Sequence, residues 1–567
     1  MVPSAKIRRG QRISVQRTIS GNEGLPDQGD IIRMDVRQKP ILPAEEVAEL
    51  IPSRATVTVS SAAAQLVPDK VLAGIEARYH AKGEPRDLTV VFPVAVGDSF
   101  GVVGLDHLAH PGLIKRLIGG SYVNAPASKP SPKIYAMIHA DQVEAYNLPL
   151  GVLMHLHRDI AAKKPGVVTK IGLGTFVDPR ELGGRMNAIT PPDLVEVVHL
   201  RGEEWLLYHS FPIDVALIRG TTADIHGNLT LEHEGVAMAV LPQAIAAHNS
   251  GGKVIAQVKR VAAAGTLDPQ MVKVPGILVD ALVVEPEALQ NMGPYDPTIS
   301  GEIRAAQLRI EPLPLGPEKV IARRALMQLR PGDIVNLGFG ISSLVPQAAF
   351  EEGVLGSLNF TVEAGVIGGL PLTGFAFGAS RNPEAIIDSP AQFDLIDGGG
   401  VSAGCLAFAE VDGRGNVNVS RLAAQPHVLA GAGGFINIAQ GSPKVLYCGT
   451  VTAGGLDVRV EDGRVQVIQE GRFQKFVERT QHITFNGPLA AKAGQEVWYF
   501  TERAVFRLTG EGLLLVEVAP GVDLERDIQR QLAFSLRVAS ALRQMDARLF
   551  RPEAMGLAAD WQDGRRS

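Results

Sequence analysis

The chain repeats itself. Residues 47–68, VAELIPSRATVTVSSAAAQLVP, are echoed by residues 325–346, ALMQLRPGDIVNLGFGISSLVP. In each copy a short helical pattern ends at a proline, a β-rich run follows, and a small-residue turn leads into Leu-Val-Pro. Pro52 and Pro68 find counterparts in Pro331 and Pro346, so the register slips by a single residue. The echo continues downstream. DLTVV at 87–91 matches NFTVE at 359–363, Asp224-Ile-His-Gly-Asn228 matches Asp412-Gly-Arg-Gly-Asn416, and GGKVI at 251–255 matches SPKVL at 442–446. One unit, used twice, limits the fold to two related domains in tandem.

The chain has 567 residues, beyond the size at which a single core keeps growing. Helical patterns alternating with short Val/Ile/Leu runs predict an α/β protein of two tandem related layered domains. We expect a flexible N-terminal extension over 1–40, which opens basic (Lys6, Arg8, Arg9, Arg12, Arg17), and a first domain over 41–310. A proline-dense linker over 311–317, a second domain over 318–550 and a tail over 551–567 complete the division. Ligands in such sheets bind near the carboxyl ends of strands, so the active site is expected in the cleft between the domains.

That placement draws attention to residues 361–371, Thr-Val-Glu-Ala-Gly-Val-Ile-Gly-Gly-Leu-Pro, where Glu363 stands at a strand end before a glycine-rich turn. Glycines there let backbone N–H groups approach a ligand, and a strand end holds its side chain firmly. The aligned residue of the first copy is Val91, which predicts one active site per chain.

Four glycine-rich loops could serve that carboxylate: 172–180 (GLGTFVDPR), 338–343 (GFGISS), 397–400 (DGGG) and 431–437 (GAGGFIN). None completes G-x-G-x-x-G, and the chain contains no P-loop, which disfavours dinucleotide and NTPase chemistry. His155 and His157 stand two apart on a helical pattern and point to different sides, so no metal is expected there. Arg323 and Arg324 read as a solvated helix face.

A net charge of −5 gives no nucleic-acid footprint, and no run of about 18 apolar residues suggests a membrane span. Cys405 and Cys448 are the only cysteines, so a disulfide framework is excluded and a reducing, cytoplasmic setting is expected.

With the Glu363 motif, Gly431-Ala-Gly-Gly-Phe-Ile-Asn-Ile438 and Gly172-Leu-Gly-Thr-Phe-Val-Asp-Pro-Arg180 in order, the chain resembles a fused family I CoA-transferase of the acetate and propionate branch. The likeness runs from about Pro43 to Phe550 and includes FPIDVALIRG at 211–220 and GVDLERD at 521–527. The resemblance implies fused α-type and β-type halves and an exchange of CoA between an acyl-CoA and a carboxylic acid. It implies that Glu363 is a nucleophile passing through a glutamyl-CoA thioester. It places Gly433, Gly434, Gly338, Gly340 and Asn437 around the oxyanion and CoA, and Asn147, Leu150, Gly172, Gly174 and Thr175 around the acid. Coenzyme A is then a co-substrate with no dissociable cofactor or metal, and the family commonly forms homo-oligomers.

Three first-half features depart from the pattern. Relatives usually carry an amide where Leu150 stands, and Ser60-Ser-Ala-Ala-Ala64 and Tyr122–Pro130 are atypical. A pocket for a larger acid than acetate or propionate is therefore expected as well. Two alternatives remain open at this point: an acyl-transfer subunit of a citrate lyase or malonate decarboxylase system, and a silent CoA-binding protein.

Overall fold

The computed structural model describes residues 37–97, 102–122, 132–291, 293–308, 310–422 and 425–563. The first half is built on a seven-stranded, all-parallel sheet. Its strands are β1 (Thr56–Val59), β2 (Leu88–Phe92), β3 (Ile114–Gly119), β4 (Glu144–Asn147), β5 (Val215–Arg219), β6 (Lys253–Val258) and β7 (Ala281–Val284), in the order β7-β6-β5-β1-β2-β3-β4. β5 is buried at every position, as a parallel strand covered on both faces must be. Helices α1 (Asp69–Lys82), α2 (Leu150–Ala161) and α3 (Val240–Asn249) follow β1, β4 and β5 in the chain.

The second half repeats the core of this plan. Strands β8 (Ile334–Leu337), β9 (Asn359–Val362), β10 (Val366–Ile367), β11 (Ala385–Ile386), β12 (Ala403–Ala407), β13 (Lys444–Cys448), β14 (Glu496–Phe500), β15 (Ala504–Thr509), β16 (Gly512–Val518) and β17 (Val538–Gln544) form one sheet. Its order is β11-β10-β9-β8-β12-β13-β14-β15-β16-β17. The parallel block β9-β8-β12-β13-β14 reproduces β2-β1-β5-β6-β7. α4 (Pro317–Leu326) precedes β8, while α5 (Ser389–Asp397) and α6 (Phe435–Gly441) precede β12 and β13.

The duplication extends to single hydrogen bonds. Asp224 Oδ1 accepts from the His226 and Asn228 N–H groups, and Asp412 Oδ1 accepts from those of Arg414 and Asn416. Asn228 Oδ1 then receives the Gly276 N–H at 2.9 Å, as Asn416 Oδ1 receives the Gly487 N–H at 3.0 Å.

The strand registers correct one detail of the sequence alignment. Thr58 pairs with Val91 inside the first sheet, and Leu337 pairs with Val362 at the end of β9. Val91 is thus an interior strand residue, and the first residue beyond β2 is Pro93, as Glu363 is the first beyond β9. The two strands were slipped in the alignment because both are featureless apolar runs. The expectation of a single carboxylate stands on Pro93 instead.

A continuous apolar core joins the halves, running from Leu66 and Leu150 through Phe360 and Phe393 to Leu549 and Leu557. The linker is docked: the Leu313 N–H donates to Glu351 and its carbonyl accepts from Lys319 Nζ. Arg323 and Arg324 are not a solvated face. Arg323 donates to the carbonyls of Arg551 and Glu553, tying down the chain end, and Arg324 forms a buried two-bond pair with Glu517. A mostly polar helix pattern concealed them because their partners lie about two hundred residues away. No helix among the described residues is long and apolar enough to cross a membrane.

Candidate active site

β9 and β10 form an antiparallel hairpin, with Val362 opposite Val366 and Glu363, Ala364 and Gly365 as its loop. Gly365, at φ +91°, closes the loop through an N–H to the Val362 carbonyl at 3.0 Å, and a Cβ there would collide with the Ile387 carbonyl. Beneath the tip, Gln392 on α5 donates to Thr361 Oγ1 at 2.8 Å, and Thr361 donates to the Val366 carbonyl at 3.1 Å. Glu363 is therefore carried on a braced turn.

Its carboxylate meets the loop Gly431-Ala-Gly-Gly434 that leads into α6. The carboxylate packs against Gly434: a Cβ there would occupy the place of Oε2, and the adjacent Gly434 N–H favours the ionised form. Glycine is required here by close approach. Although part of Glu363 remains open, desolvation by the surrounding protein pushes its pKa up to about 7, and the Gly434 N–H pulls the other way.

The first half clamps this loop. Gly433 donates to the Gly120 carbonyl at 2.7 Å, and its own carbonyl accepts the Leu150 N–H at 2.9 Å. Asn147 is fully buried: its amide donates to the Gly119 and Gly120 carbonyls and its Oδ1 accepts the Ala432 N–H at 2.8 Å. Ser121 bridges to Gly431 in antiparallel fashion.

These bonds revise several expected roles. The Gly433 N–H is committed across the seam, which leaves Gly434 as the donor of the pair aimed at Glu363. Asn437 is buried, accepts the Gly151 N–H and donates to both oxygens of Asp397, so it fastens α2 to α5. Asp397 is itself pushed up to about 7 by burial, against the Asn437 amide. Leu150 has no exposed surface and belongs to the core. Gly172 donates to Gln440, the Gly174 carbonyl accepts from Asn486, and the buried Thr175 hydroxyl turns back to the Gly172 carbonyl. That loop is a docking seam between halves. Gly338 extends the β8 ladder to Cys405, and Gly340 packs on Ala407.

Sequence reasoning missed the aromatic wall beside the tip. Phe339 is 52% exposed and meets Phe377 edge to face at 5.6 Å. Gln65 of the first half donates to the Phe377 carbonyl, and Gly378 abuts Ala364. Phe339 lies inside the Gly338–Gly340 loop, whose glycines had drawn attention away from it. Of the atypical segment Tyr122–Pro130, all but Tyr122 lies outside the described residues. His155 and His157 face apart as expected: His155 approaches Asp394, and His157 donates or accepts with Thr58 Oγ1 on the far side of the helix.

Residues 42–285 match the Coenzyme A transferase family. Over 520 residues the chain is 40% identical to the acetate CoA-transferase YdiF of Escherichia coli strain K12, covering 91% of this chain and 96% of that one. It is 42% identical over 520 residues to the caffeate CoA-transferase of Acetobacterium woodii, covering 91% and 98%. Among solved structures, the acyl-CoA transferase YdiF of Escherichia coli O157:H7, described as a thioester complex with CoA, superposes with a TM-score of 0.85 at 38% identity. That match covers 92% of this chain and 98% of the other.

Proposed function

The chain belongs to the coenzyme A transferase family and is a CoA-transferase, and from that premise we propose that Glu363 is its covalent nucleophile. The observation that carries this reading is the seating of the Glu363 carboxylate on a braced hairpin tip against the Gly434 N–H, where no side chain fits between them.

The proposed cycle begins when a Glu363 oxygen attacks the thioester carbonyl of acyl-CoA. The tetrahedral oxyanion collapses with loss of CoA thiolate, leaving a mixed anhydride. The thiolate then attacks the glutamyl carbonyl, the acyl group departs as its carboxylate, and a glutamyl-CoA thioester remains. An acceptor carboxylate runs the same steps backwards. Covalent storage conserves the thioester's energy across the two halves of the exchange. The Gly434 N–H, already directed at the carboxyl group, is the proposed oxyanion donor, a role that contributes about 2.7–4 kcal/mol in other acyl-transfer sites. A pKa near 7 leaves the carboxylate about half ionised at neutral pH and mostly ionised above it, yet more basic than a solvated glutamate, which favours attack.

Short-chain carboxylic acids are the proposed substrates, in keeping with the acetate specificity named for one relative. A second reading, a bulkier aromatic acid, is favoured by the exposed Phe339 against Phe377 and by the caffeate specificity named for the other. Acids graded from acetate to cinnamate-like compounds separate the two by kcat/KM. A cytoplasmic homo-oligomer is also proposed; Cys405 and Cys448, buried with their sulfurs 3.9 Å apart as free thiols, support a reducing compartment.

The direct test incubates the enzyme with acyl-CoA alone and traps the adduct with hydroxylamine or borohydride. Wild type should be modified at Glu363 and Glu363→Ala should not; equal labelling overturns the mechanism.

A further inference from the structure

Among the described residues, one group outside the Glu363 region brings three possible metal ligands together. Glu76, His80 and His110 each offer an atom, and the three atoms lie within 4.8 Å of one another. Glu76 and His80 stand four apart on α1 and so share one helix face, while His110 comes from the loop just before β3. Glu76 Oε1 is 2.8 Å from His110 Nε2 and 3.9 Å from His80 Nε2.

A tetrahedral zinc ion with bonds near 2.0–2.1 Å holds its ligand atoms about 3.3 Å apart. The two separations bracket that value. Closing on a metal therefore requires His110 to ease back from Glu76 and His80 to draw in, and His80, whose side chain is 60% exposed, can move freely.

The arrangement behind the ligands is also suited to a metal. His107 Nδ1 bonds the other Glu76 oxygen at 2.5 Å, which leaves Oε1 facing the two imidazoles. His107 Nε2 in turn lies 3.7 Å from Asp69, whose Oδ1 accepts the Gly104 N–H. Such an outer partner orients a ligating carboxylate. The side chains of Glu76 and His110 are 25% and 19% exposed, so the group is open to solvent on one side while anchored on the other.

We propose that Glu76, His80 and His110 form a binding site for a divalent transition metal of borderline softness, zinc before others, with solvent at the fourth position. The metal would staple α1 to the loop that feeds β3. β3 ends at Gly119, next to the Gly120 carbonyl that holds Gly433, so the staple braces the far end of the strand that supports the clamp.

The test is titration of the chelator-treated full chain with Zn²⁺ by calorimetry, with Co²⁺ absorption reporting geometry. One equivalent should bind, Co²⁺ should show tetrahedral bands, and His80→Ala and His110→Ala should each weaken the site at least tenfold. His107→Ala should weaken it less. Zinc should raise the Tm of wild type and leave that of His80→Ala where it was. His80→Ala changes a solvent-exposed side chain, so metal-free Tm and transferase activity should match wild type. Absence of binding overturns the site, as does binding at wild-type strength in either alanine variant.

Discussion

The two halves share the Asp224–Asn228 and Asp412–Asn416 turns bond for bond, yet they part company one strand away from the centre of each sheet. In the first half β2 is flanked by parallel β3, and the first residue beyond β2 is Pro93. In the second, β9 folds straight back into antiparallel β10 and puts Glu363 on the turn. Parallel neighbours require a long crossover, whereas a hairpin needs three residues and fixes its tip rigidly. The difference shows how a duplicated scaffold separates duties: one copy carries Glu363, the proposed nucleophile, on a short turn, and the other uses the ends of β3 and β4 to hold the loop that meets it.

The sharpest way to break this comparison is Glu363→Gln, which keeps the shape of the tip. Transfer activity should fall by at least about 10³-fold. The same variant bears on pH. At low pH the carboxyl is protonated in folded and unfolded chains alike and burial costs little. As pH rises from the ordinary glutamate range to about 7 the unfolded chain ionises while the folded one resists, so stability falls across that window and the loss, about 3 kcal/mol, is complete above it. Glu363→Gln should therefore raise the Tm at pH 8 and change it little at pH 5. In wild type, kcat/KM should climb with pH through about 7, as the carboxylate forms. Asp397→Asn should leave that midpoint in place, although Asp397 is raised to a similar value.

Gly434→Ala comes next. Its methyl group would displace the Glu363 carboxylate, and a loss of about 10²–10³ in kcat with retained folding is expected from activity and circular dichroism together. Asn147→Ala tests the supporting copy. It leaves three buried bonds unmade, so a stability loss of about 2–3 kcal/mol in denaturant titration should accompany a smaller fall in kcat. The smallest effects belong to the shared turns. Asn228→Ala and Asn416→Ala should each cost about 2 kcal/mol, and a gap much wider than 1 kcal/mol would show that the repeated turns no longer do equal duty.

Much of this was legible in the chain itself. The prolines and the Asp-x-x-Gly-Asn turns announced the repeat because they mark fixed backbone geometry. Glu363 stood out because a charge at the end of an apolar strand is rare. The roles of Asn147, Leu150 and Asn437 were harder to read. Each lies in a motif near the site, and each uses its polar groups on backbone about 285 residues distant, a pairing that no local pattern encodes. Glu76 and His80 did carry a signal, the four-residue spacing, but His110 joins them only through the fold.

The clamp on Gly433 has a further bearing on how the enzyme comes into being. Domains emerge from synthesis in order, the N-terminal one first. Here the earlier half carries the carbonyls of Gly119 and Gly120 and the Asn147 amide, while the later half carries Glu363 and its glycine loop. Neither half holds all the parts of the proposed site before they dock. If Glu363 acts as proposed, fusion in one chain makes chemical competence a by-product of correct assembly: a nascent or misdocked molecule has the carboxylate without the held loop.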